Sequence, residues 1–314
     1  MNRRNVLQIS ATLGLAGALA RVAMAERQAG PLSPEGRRTP EPNPLQPPAE
    51  GSIPVAFLIS DEVVVIDFAG PWEVFAQAHI HGREAAAFRL YTVAETTAPV
   101  HAAGGLTIIP NFPLASAPPP KIIVIPAQRD PSDAVIAWLR DATRTTDLTM
   151  SVCTGAFLLA RTGLLSGKAA TTHHSAYGEL AMAFPDIQVK RGARFVEAGK
   201  IATSGGLSSG IDLALRVVER YFGRTVALGT ADNLEYQGLG WMNPDSNQAY
   251  AKMRISTDQH PLCPVCEMDV DPPTAPKTTY RGRTYYFCVL AHKERFDADP
   301  VRYVSALQSV STSE

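Results

Sequence analysis

A short apolar run that passes directly into a helical pattern constrains this chain more than any other feature. Residues 148–152 form a β-branched, apolar run typical of a short buried strand, and residues 155–160 begin a helical pattern at once. Cys153 and Thr154 lie at the turn between them. The cysteine faces the unpaired N–H groups and the positive end of that helix, which predicts a thiolate nucleophile. A buried, inert cysteine is the alternative that this spacing leaves open.

Strand-like and helix-like runs alternate over the segment that contains this turn. The strand-like runs are residues 55–59, 88–93, 121–125 and 148–152. The third has an unbroken apolar core, which favours burial on both faces, and helical patterns begin at Pro71 and after Asp130. This alternation predicts an α/β domain over residues 52–236, with a flavodoxin-like, doubly wound parallel sheet and helices on both sides.

Sheets of this kind bind ligands beyond the carboxyl ends of their strands. The loop after Ile59, the turn at Ala127 and Gln128, and Cys153 all lie at that predicted edge. The backbone N–H groups of Ala127 and Gln128, and the hydroxyl and N–H of Thr154, are candidates to stabilise a developing negative charge. The alternative for Thr154 is a helix N-terminal residue that does no more than cap.

Four further polar side chains are candidates for the same cleft. Asp67 directly precedes the predicted first helix and is either a helix cap or a carboxylate that exchanges protons near the thiol. Glu73 is the rival acid, although its place in the helix also fits a solvated face. His173 and His174 lie at the end of another predicted strand, and a histidine beside Cys153 would form a Cys/His pair. The sequence alone does not place either histidine there.

Four blocks of this segment resemble the PfpI/ThiJ superfamily, which has the class I glutamine amidotransferase-like fold. They are Asp67-Phe-Ala-Gly-Pro-Trp-Glu-Val-Phe75, Ser151-Val-Cys-Thr-Gly-Ala-Phe-Leu-Leu-Ala160, and residues 163–173 and 203–215. The branch most similar is isonitrile hydratase, with the ligand-binding domains of AraC-type regulators, although no helix-turn-helix region follows. The resemblance implies that Cys153 is the nucleophile, Asp67 the acid/base and Thr154 an assisting group. It also implies hydration of an isonitrile to an N-substituted formamide.

The sequence departs from that family at two positions of the predicted cleft. Ala127 stands where the family often has glycine, so a side chain restricts how closely the backbone approaches a substrate. His174 stands where tryptophan is common, which makes the pocket wall more polar and ionisable near neutral pH. Both departures bear on the substrate more than on the fold.

Three of the four cysteines lie near the C-terminus in a C-x2-C-x21-C-x3-H arrangement. The candidate ligands are Cys263, Cys266, Cys288 and His292. The first two share a tight turn, and the last two are spaced i, i+4 at a predicted helix start, so their side chains share a face. These four ligands favour a tetrahedral metal site, with zinc the default. The alternative is a Cys263–Cys266 or Cys266–Cys288 disulfide in an oxidising compartment.

This region resembles the YHS domain, a small metal-binding module. The matching blocks are Cys263-Pro-Val-Cys-Glu-Met268, Tyr280-Arg-Gly-Arg-Thr-Tyr-Tyr-Phe-Cys288, and residues 293–296 and 299–303. His292 stands where the family usually has cysteine, which leaves zinc or copper open. We expect a second, small metal-binding α+β domain over residues 261–310, which needs its metal to hold its fold. The expected core consists of the aromatic residues Tyr285, Tyr286, Phe287 and Phe296.

The remaining segments predict the chain's surroundings. Residues 1–25 resemble a twin-arginine signal peptide, because Arg3-Arg4 precede an apolar stretch and an A-x-A-type cleavage site. The expected location is therefore periplasmic or secreted, with no stable membrane anchoring after cleavage. Residues 26–51 are Pro-rich and predict a disordered linker, and residues 237–260 predict a second linker with room for one short helix.

The charge balance bears on partners. Lys and Arg total 29 and Asp and Glu total 30, with no basic block, which argues against nucleic acid or anionic lipid. A small-molecule substrate or ligand and a metal ion are the expected partners, and a fold of this type often forms a homodimer.

Three functions fit these features. The first is an exported, cysteine-dependent enzyme of the isonitrile hydratase type that carries a metal-binding appendage, with no cofactor needed at Cys153. The second is a non-catalytic ligand- and metal-binding protein, acting as a sensor or carrier. The third is a thiol-based stress-response protein in which Cys153 is oxidised or traps reactive carbonyls.

Overall fold

The computed structural model of the protein describes residues 43–129, 131–252, 256–257 and 259–308. The predicted signal peptide lies outside these residues, as does most of the first predicted linker. Among the described residues, no helix combines the length and the apolar character needed to cross a membrane.

Eleven strands are described in the larger domain. They are β1 (Ile53–Leu58), β2 (Phe88–Ala94), β3 (Val100–His101), β4 (Thr107–Ile108), β5 (Phe112–Pro113), β6 (Ile122–Ile125), β7 (Leu148–Val152), β8 (Ala169–Ala170), β9 (Gln188–Val189), β10 (Phe195–Ala198) and β11 (Ile201–Ser204). Seven of them form one sheet in the order β10-β11-β7-β6-β1-β2-β5. Neighbours are parallel, except that β10 pairs antiparallel with β11 at the edge. The predicted doubly wound sheet is confirmed, with this antiparallel edge added.

Helices cover both faces of the sheet. They are α1 (Val65–Ala76), α2 (Asp133–Ala142), α3 (Gly155–Arg161), α4 (Tyr177–Ala183), α5 (Ser209–Phe222) and α6 (Arg224–Asn233). Helices α1, α5 and α6 pack into one apolar cluster with the sheet, and α2, α3 and α4 pack into another. Within β6, Ile122 and Val124 face the first cluster, whereas Ile123 and Ile125 face the second. The predicted burial of this strand on both faces is therefore confirmed.

Helix α1 begins earlier than the sequence predicts. It starts at Val65, so Pro71 lies inside the helix and Asp67 lies in its first turn rather than before it. The N-cap residue is Val64, and no side chain caps this end. Apolar residues recur at helical spacing from Val65 onward and pack against the core, and this tertiary packing outweighs the proline as a start signal.

Both predicted linkers contact the larger domain where they are described. The N–H of Leu45 donates to the carbonyl of Arg220 at 2.7 Å, and Nε of Arg220 donates to the carbonyl of Asn43 at 2.7 Å. Two short 3₁₀ helices, Gly240–Met242 and Gln248–Tyr250, occur in the second segment. Backbone hydrogen bonds and apolar contacts thus order parts of both segments, although their composition predicts loose chain.

A buried carboxylate ties the second segment to helix α5. Asp212 accepts hydrogen bonds from Nε of Arg194 at 2.6 Å, from the hydroxyl of Tyr236 at 3.0 Å and from the N–H of Trp241 at 2.9 Å. The side chain of Trp241 is fully buried in the core that contains α5. Asp212 therefore joins three parts of the chain through one side chain.

The small domain consists of a hairpin and two helices: β12 (Lys277–Tyr280), β13 (Arg283–Tyr286), α7 (Leu290–Ala298) and α8 (Pro300–Gln308). The ring of Phe296 lies at the centre of its core, 4.9 Å from the ring of Tyr285 and 5.2 Å from that of Phe287. The prediction of an aromatic core is confirmed for these three residues. Tyr286 is only half-buried and lies outside that core, because it alternates with Tyr285 along β13.

The small domain packs against helix α4 of the larger one. Nη2 of Arg191 lies 2.6 Å from Oε1 of Glu267, and Nη1 of Arg295 lies 3.1 Å from Oε1 of Glu179. Met182 packs against the core of the small domain. Ion pairs and an apolar contact therefore form this interface.

We predict that Asp212→Ala lowers the free energy of unfolding by about 3–5 kcal/mol, because it leaves the guanidinium of Arg194 without its buried partner. The matched control is Asp141→Ala, which removes an exposed ion pair with Arg144 and should cost under about 1 kcal/mol. Urea unfolding of both variants checks the difference. Equal losses would show that Asp212 has no special role.

Candidate active site and metal centre

Cys153 lies in a tight turn between β7 and α3, as the sequence predicts. Its φ of 58° is in the left-handed region, where a non-glycine residue is strained unless its surroundings hold it there. Its N–H donates to the carbonyl of Gly205 at 3.0 Å, and its carbonyl accepts from the hydroxyl of Thr172 at 2.9 Å. Neighbouring strand ends therefore hold the cysteine in its strained conformation.

Gly155, the first residue of α3, allows this turn to approach β6 closely. A Cβ at this position would lie 2.2 Å from the carbonyl oxygen of Ile125 and 2.8 Å from that of Pro126. Such distances are far below van der Waals contact, so no larger residue fits without a backbone shift. The absence of a side chain brings Thr154 beside the turn that follows β6.

Asp67 lies in the interior of the protein beside this turn. It is fully buried, and its Oδ2 accepts a hydrogen bond from the N–H of Ala127 at 3.1 Å. Its Oδ1 has no hydrogen-bond partner within the described residues. Burial raises the pKa of Asp67 to about 6, although the N–H of Ala127, the thiol of Cys153 and the N–H of Leu207 oppose that rise.

The expectation of a resting thiolate is wrong for this structure. Burial, together with the negative charge of Asp67, raises the pKa of Cys153 to about 12, although hydrogen bonding from Thr154 and Leu207 opposes the rise. The thiol is only 8% exposed. The helix N-terminus favours the anion, but desolvation and a neighbouring carboxylate outweigh it.

Cys153 and Asp67 together form a buried thiol–carboxylate pair. At neutral pH, the pKa values place a neutral thiol beside a carboxylate that is mostly ionised. An attacking thiol can then lose its proton to the carboxylate as its sulfur forms a bond. The arrangement can perform general-base-assisted nucleophilic chemistry.

The predicted hydrogen-bond donors for a developing anion lie near this pair, with one correction. The N–H of Ala127 already donates to Asp67, so it is not available as the predicted second donor. The side chain of Gln128 donates to the carbonyl of Leu58 at 3.1 Å. Thr154 is the N-cap of α3, and its side chain makes no capping hydrogen bond. Thr154 is therefore the predicted donor that the geometry best supports.

Leu207 contributes a donor that sequence reasoning missed. Hydrogen bonding from its N–H lowers the pKa of both Asp67 and Cys153. Its own φ of 50° lies in the left-handed region. It follows Gly205 and Gly206, a glycine pair in one of the sequence blocks noted above. That pair was a signal for an unusual loop, but it did not indicate which N–H would face the site.

His173 and His174 lie at the edge of this region and not in a pair with the cysteine. Nδ1 of His173 lies 2.8 Å from Oγ of Ser175. Burial, and to a smaller extent the charge of neighbouring His174, lowers the pKa of His173. The ring of His174 stacks on Tyr250, with centroids 4.8 Å apart. No hydrogen bond joins Cys153 to either imidazole in the described part of the chain, and they follow β8 through a 3₁₀ turn rather than ending a strand.

A cavity of about 260 Å³ adjoins the cysteine turn. Gln128 and Thr154 line it from the larger domain together with Glu179, and Arg295 lines it from the small domain. Glu73, the rival acid, is exposed on α1 and does not line this cavity. The solvated-face interpretation of Glu73 is therefore the better one.

The four predicted metal ligands come together in the small domain. The ligand atoms of Cys263, Cys266, Cys288 and His292 all lie within 4.8 Å of one another. Two thiolates bound tetrahedrally to one zinc ion, each at about 2.3 Å, are about 3.8 Å apart. The Cys266 and Cys288 sulfurs are 3.4 Å apart, and all four cysteines of the chain are free. This donor set fits a closed tetrahedral site better than a disulfide.

Local structure explains why the ligands converge, with one correction to the prediction. Cys263 and Cys266 lie in a tight turn, in which the N–H of Glu267 donates to the carbonyl of Cys263 at 2.8 Å. Cys288 precedes α7, which begins only at Leu290, so the predicted helix start is too early. Nδ1 of His292 nevertheless lies 3.2 Å from the Cys288 sulfur. Hydrogen bonding from Cys266 and His292 lowers the pKa of Cys263, which favours the anion that a metal needs.

These features are those of a known class. Residues 54–220, more than half of the chain, match the DJ-1/PfpI family, and the chain belongs to that family. Residues 263–307 match the YHS domain.

Relatives with known names fall into two groups. Isonitrile hydratase of Pseudomonas putida is 29% identical over 190 residues, which cover 59% of this chain and 79% of that protein. The HTH-type transcriptional regulator GbdR of Pseudomonas aeruginosa is 25% identical over 213 residues, which cover 66% of this chain and 57% of the regulator. The chain thus spans little more than half of that regulator.

Solved structures support the fold. A ThiJ/PfpI family protein from Pseudomonas syringae has a TM-score of 0.54 and 25% identity, over 68% of this chain and 84% of that one. DJ-1beta of Drosophila melanogaster has a TM-score of 0.51 and 18% identity, over 60% of this chain and all of the other. The second likeness shows a shared fold alone.

We predict that Asp67→Asn increases the alkylation rate of Cys153 at pH 7–9. Removing the neighbouring negative charge lowers the thiol pKa, so more thiolate is present in that range. Iodoacetamide labelling followed by peptide mass spectrometry separates Cys153 from the other three cysteines. Glu73→Gln, on the same helix but exposed, should leave the rate unchanged. A slower or equal rate in Asp67→Asn would contradict the assigned charge coupling.

We also predict that the purified protein binds one tetrahedral metal ion per chain. Cys263→Ser and Cys266→Ser should lose it, because each removes a thiolate ligand. Cys153→Ser is the matched control, since it removes the one cysteine outside the cluster. Elemental analysis by mass spectrometry identifies and counts the ion. Equal metal content in all four proteins would rule out this site.

Proposed function

We propose that this protein is a cysteine-dependent enzyme of the isonitrile hydratase type, which adds water to a small electrophilic substrate. Cys153 is the nucleophile, Asp67 the proton carrier and Thr154 an assisting donor. The C-terminal module is a metal-binding appendage with a Cys3His site, which takes zinc or copper and supplies no group to the Cys153 reaction.

The observation that carries this proposal is the buried pairing of Asp67 with Cys153. A fully buried carboxylate with an unpaired oxygen is costly, and it offers a base at the place where a thiol must lose its proton. A pKa of about 6 also makes the same group an effective acid after it has accepted that proton. One residue can therefore move protons in both directions.

The proposed reaction balances with water as the only co-reactant. The Cys153 proton passes to Asp67 as the sulfur bonds to the terminal carbon of R–N≡C, and Asp67 returns a proton to that carbon, which gives R–N=CH–S–Cys. Water then adds to this carbon, and the nitrogen gains a proton. Breaking the C–S bond releases R–NH–CHO, and the sulfur recovers its proton through Asp67.

The choice of substrate class is supported by the relationship to isonitrile hydratase over most of that enzyme's length. The cavity of about 260 Å³ beside Thr154 has room for a small molecule, although neither Cys153 nor Asp67 lines it. Ala127 and His174, which depart from the family pattern, make the preferred side group of the substrate a separate question.

The regulator relatives favour a second candidate, a non-catalytic ligand-binding protein that also holds a metal. GbdR is 25% identical to this chain over 213 residues, so similar domains also occur in transcriptional regulators. The stress-protein alternative is less well supported, because rapid thiol oxidation needs a low-pKa, accessible thiolate and burial raises the pKa of Cys153.

We predict that the protein hydrates small alkyl isonitriles to formamides in a panel that also contains nitriles, amides and α-oxoaldehydes. Cys153→Ala should abolish turnover, and Asp67→Asn should lower kcat by about 10²- to 10⁴-fold, because it removes the proton carrier. Product formation by chromatography with mass detection measures both effects. Glu73→Gln, at an exposed position of helix α1, is the control that should retain activity.

The two consequences of Asp67→Asn distinguish catalysis from simple thiol reactivity. The enzyme proposal requires faster alkylation of Cys153 together with slower turnover. A wild-type protein that converts no member of the panel but binds one of them, measured by calorimetry, would favour the ligand-binding candidate instead.

A further inference from the structure

The predicted metal ligand His292 has a partner outside its own domain. Its Nδ1 faces the cluster, 3.2 Å from the Cys288 sulfur and 3.6 Å from the Cys263 sulfur. Its Nε2, on the other side of the ring, lies 3.5 Å from Oε1 of Glu179. Glu179 belongs to helix α4 of the DJ-1/PfpI domain. The spacing of the metal ligands in the sequence does not predict this contact.

We propose that Glu179 is a positioning residue for the metal site, so that the DJ-1/PfpI domain completes the metal centre of the YHS domain. A carboxylate that accepts from Nε2–H holds the imidazole in the tautomer whose Nδ1 carries the free lone pair. It also fixes the plane of the ring and increases the basicity of the ligating nitrogen. The site then depends on contact between the two domains.

Glu179 is itself held in place. Nη1 of Arg295 lies 3.1 Å from the same Oε1, and the Glu179 side chain is only 24% exposed. The helix that carries it is anchored by Leu180, which is fully buried. The phenol of Tyr177, also on α4, accepts a hydrogen bond from the N–H of Gly192 at 3.2 Å. A carboxylate on an anchored helix loses little entropy when it orients a ligand.

The same helix packs closely against the turn that holds the first two cysteines. A Cβ at Gly178 would lie 3.1 Å from Oε1 of Glu267, the residue after Cys266. Arg191 pairs with Glu267 through two contacts of 2.6 and 3.1 Å. The interface therefore places α4 beside both halves of the ligand set.

This role reaches the cavity described above. Glu179 and Arg295 line that cavity together with Thr154, the residue after the proposed nucleophile. Metal binding that fixes His292 therefore also fixes Glu179 and one wall of the cavity. The inference does not require turnover of an isonitrile, since it concerns metal binding.

The test measures the zinc affinity of the full chain by competition with a chromophoric chelator, under reducing conditions. Glu179→Ala should raise the zinc Kd by about 10- to 100-fold. Glu179→Gln, which is nearly isosteric and keeps an acceptor oxygen, should have a smaller effect. In the Co²⁺-loaded protein, Glu179→Ala should shift the visible d–d bands while the sulfur-to-cobalt charge-transfer band remains.

Two controls separate ligand positioning from domain packing. Arg191→Met removes the other ion pair of the interface without touching His292, and it should leave the zinc Kd and the cobalt spectrum unchanged. His292→Cys keeps a metal ligand but removes the imidazole. In that background, Glu179→Ala should have no effect on the zinc Kd, so the double-mutant cycle should show strong coupling.

Three outcomes would overturn the proposal. They are wild-type affinity and spectrum in both Glu179 variants, an equal loss of affinity in Arg191→Met, and an undiminished effect of Glu179→Ala in the His292→Cys background. Glu179→Gln keeps the test decisive if the alanine variant fails to fold, because its volume and its hydrogen-bond acceptor are retained.

Discussion

Burial of one carboxylate beside one thiol is the interaction on which the proposed chemistry of this protein depends. Asp67 has no exposed surface, and the hydrogen bond from the N–H of Ala127 offsets only part of the free-energy cost of burying its charge. The negative charge of Asp67 contributes to the raised pKa of Cys153, so the thiol keeps its proton beside a carboxylate that can accept it. The left-handed backbone at Cys153 forms the tight turn that carries the thiol, and Gly155 lets this turn approach the end of β6 closely.

Much of this arrangement follows from local sequence patterns. The buried run of β6, the turn at Cys153 and the C-x2-C spacing are short-range signals, and the structure places each where the pattern predicts. Hydrophobic periodicity and ligand spacing are properties of a few neighbouring residues, so they can be recognised without knowledge of the tertiary fold. The predicted start of α1 was wrong because residues before Pro71 join the helix through packing against distant parts of the chain, which is a long-range effect.

What could not be predicted depends on contacts between distant parts of the chain. The N–H of Leu207, 140 positions after Asp67, reaches the site only through the fold, and the ring of Tyr250 reaches its place against His174 in the same way. The protonation of Cys153 was expected to follow the helix N-terminus, which is a local property. Desolvation is set by everything that surrounds the sulfur, and no sequence window contains that information.

The placement of Trp241 limits where this two-part chain can be divided. A joining segment that merely tethered a metal module could be gained or lost without effect on the larger domain. Here, an indole from that segment fills the apolar interior next to helix α5. Removal of residues 237–314 would uncover the apolar surface that this indole covers, and exposed surfaces of that kind promote aggregation.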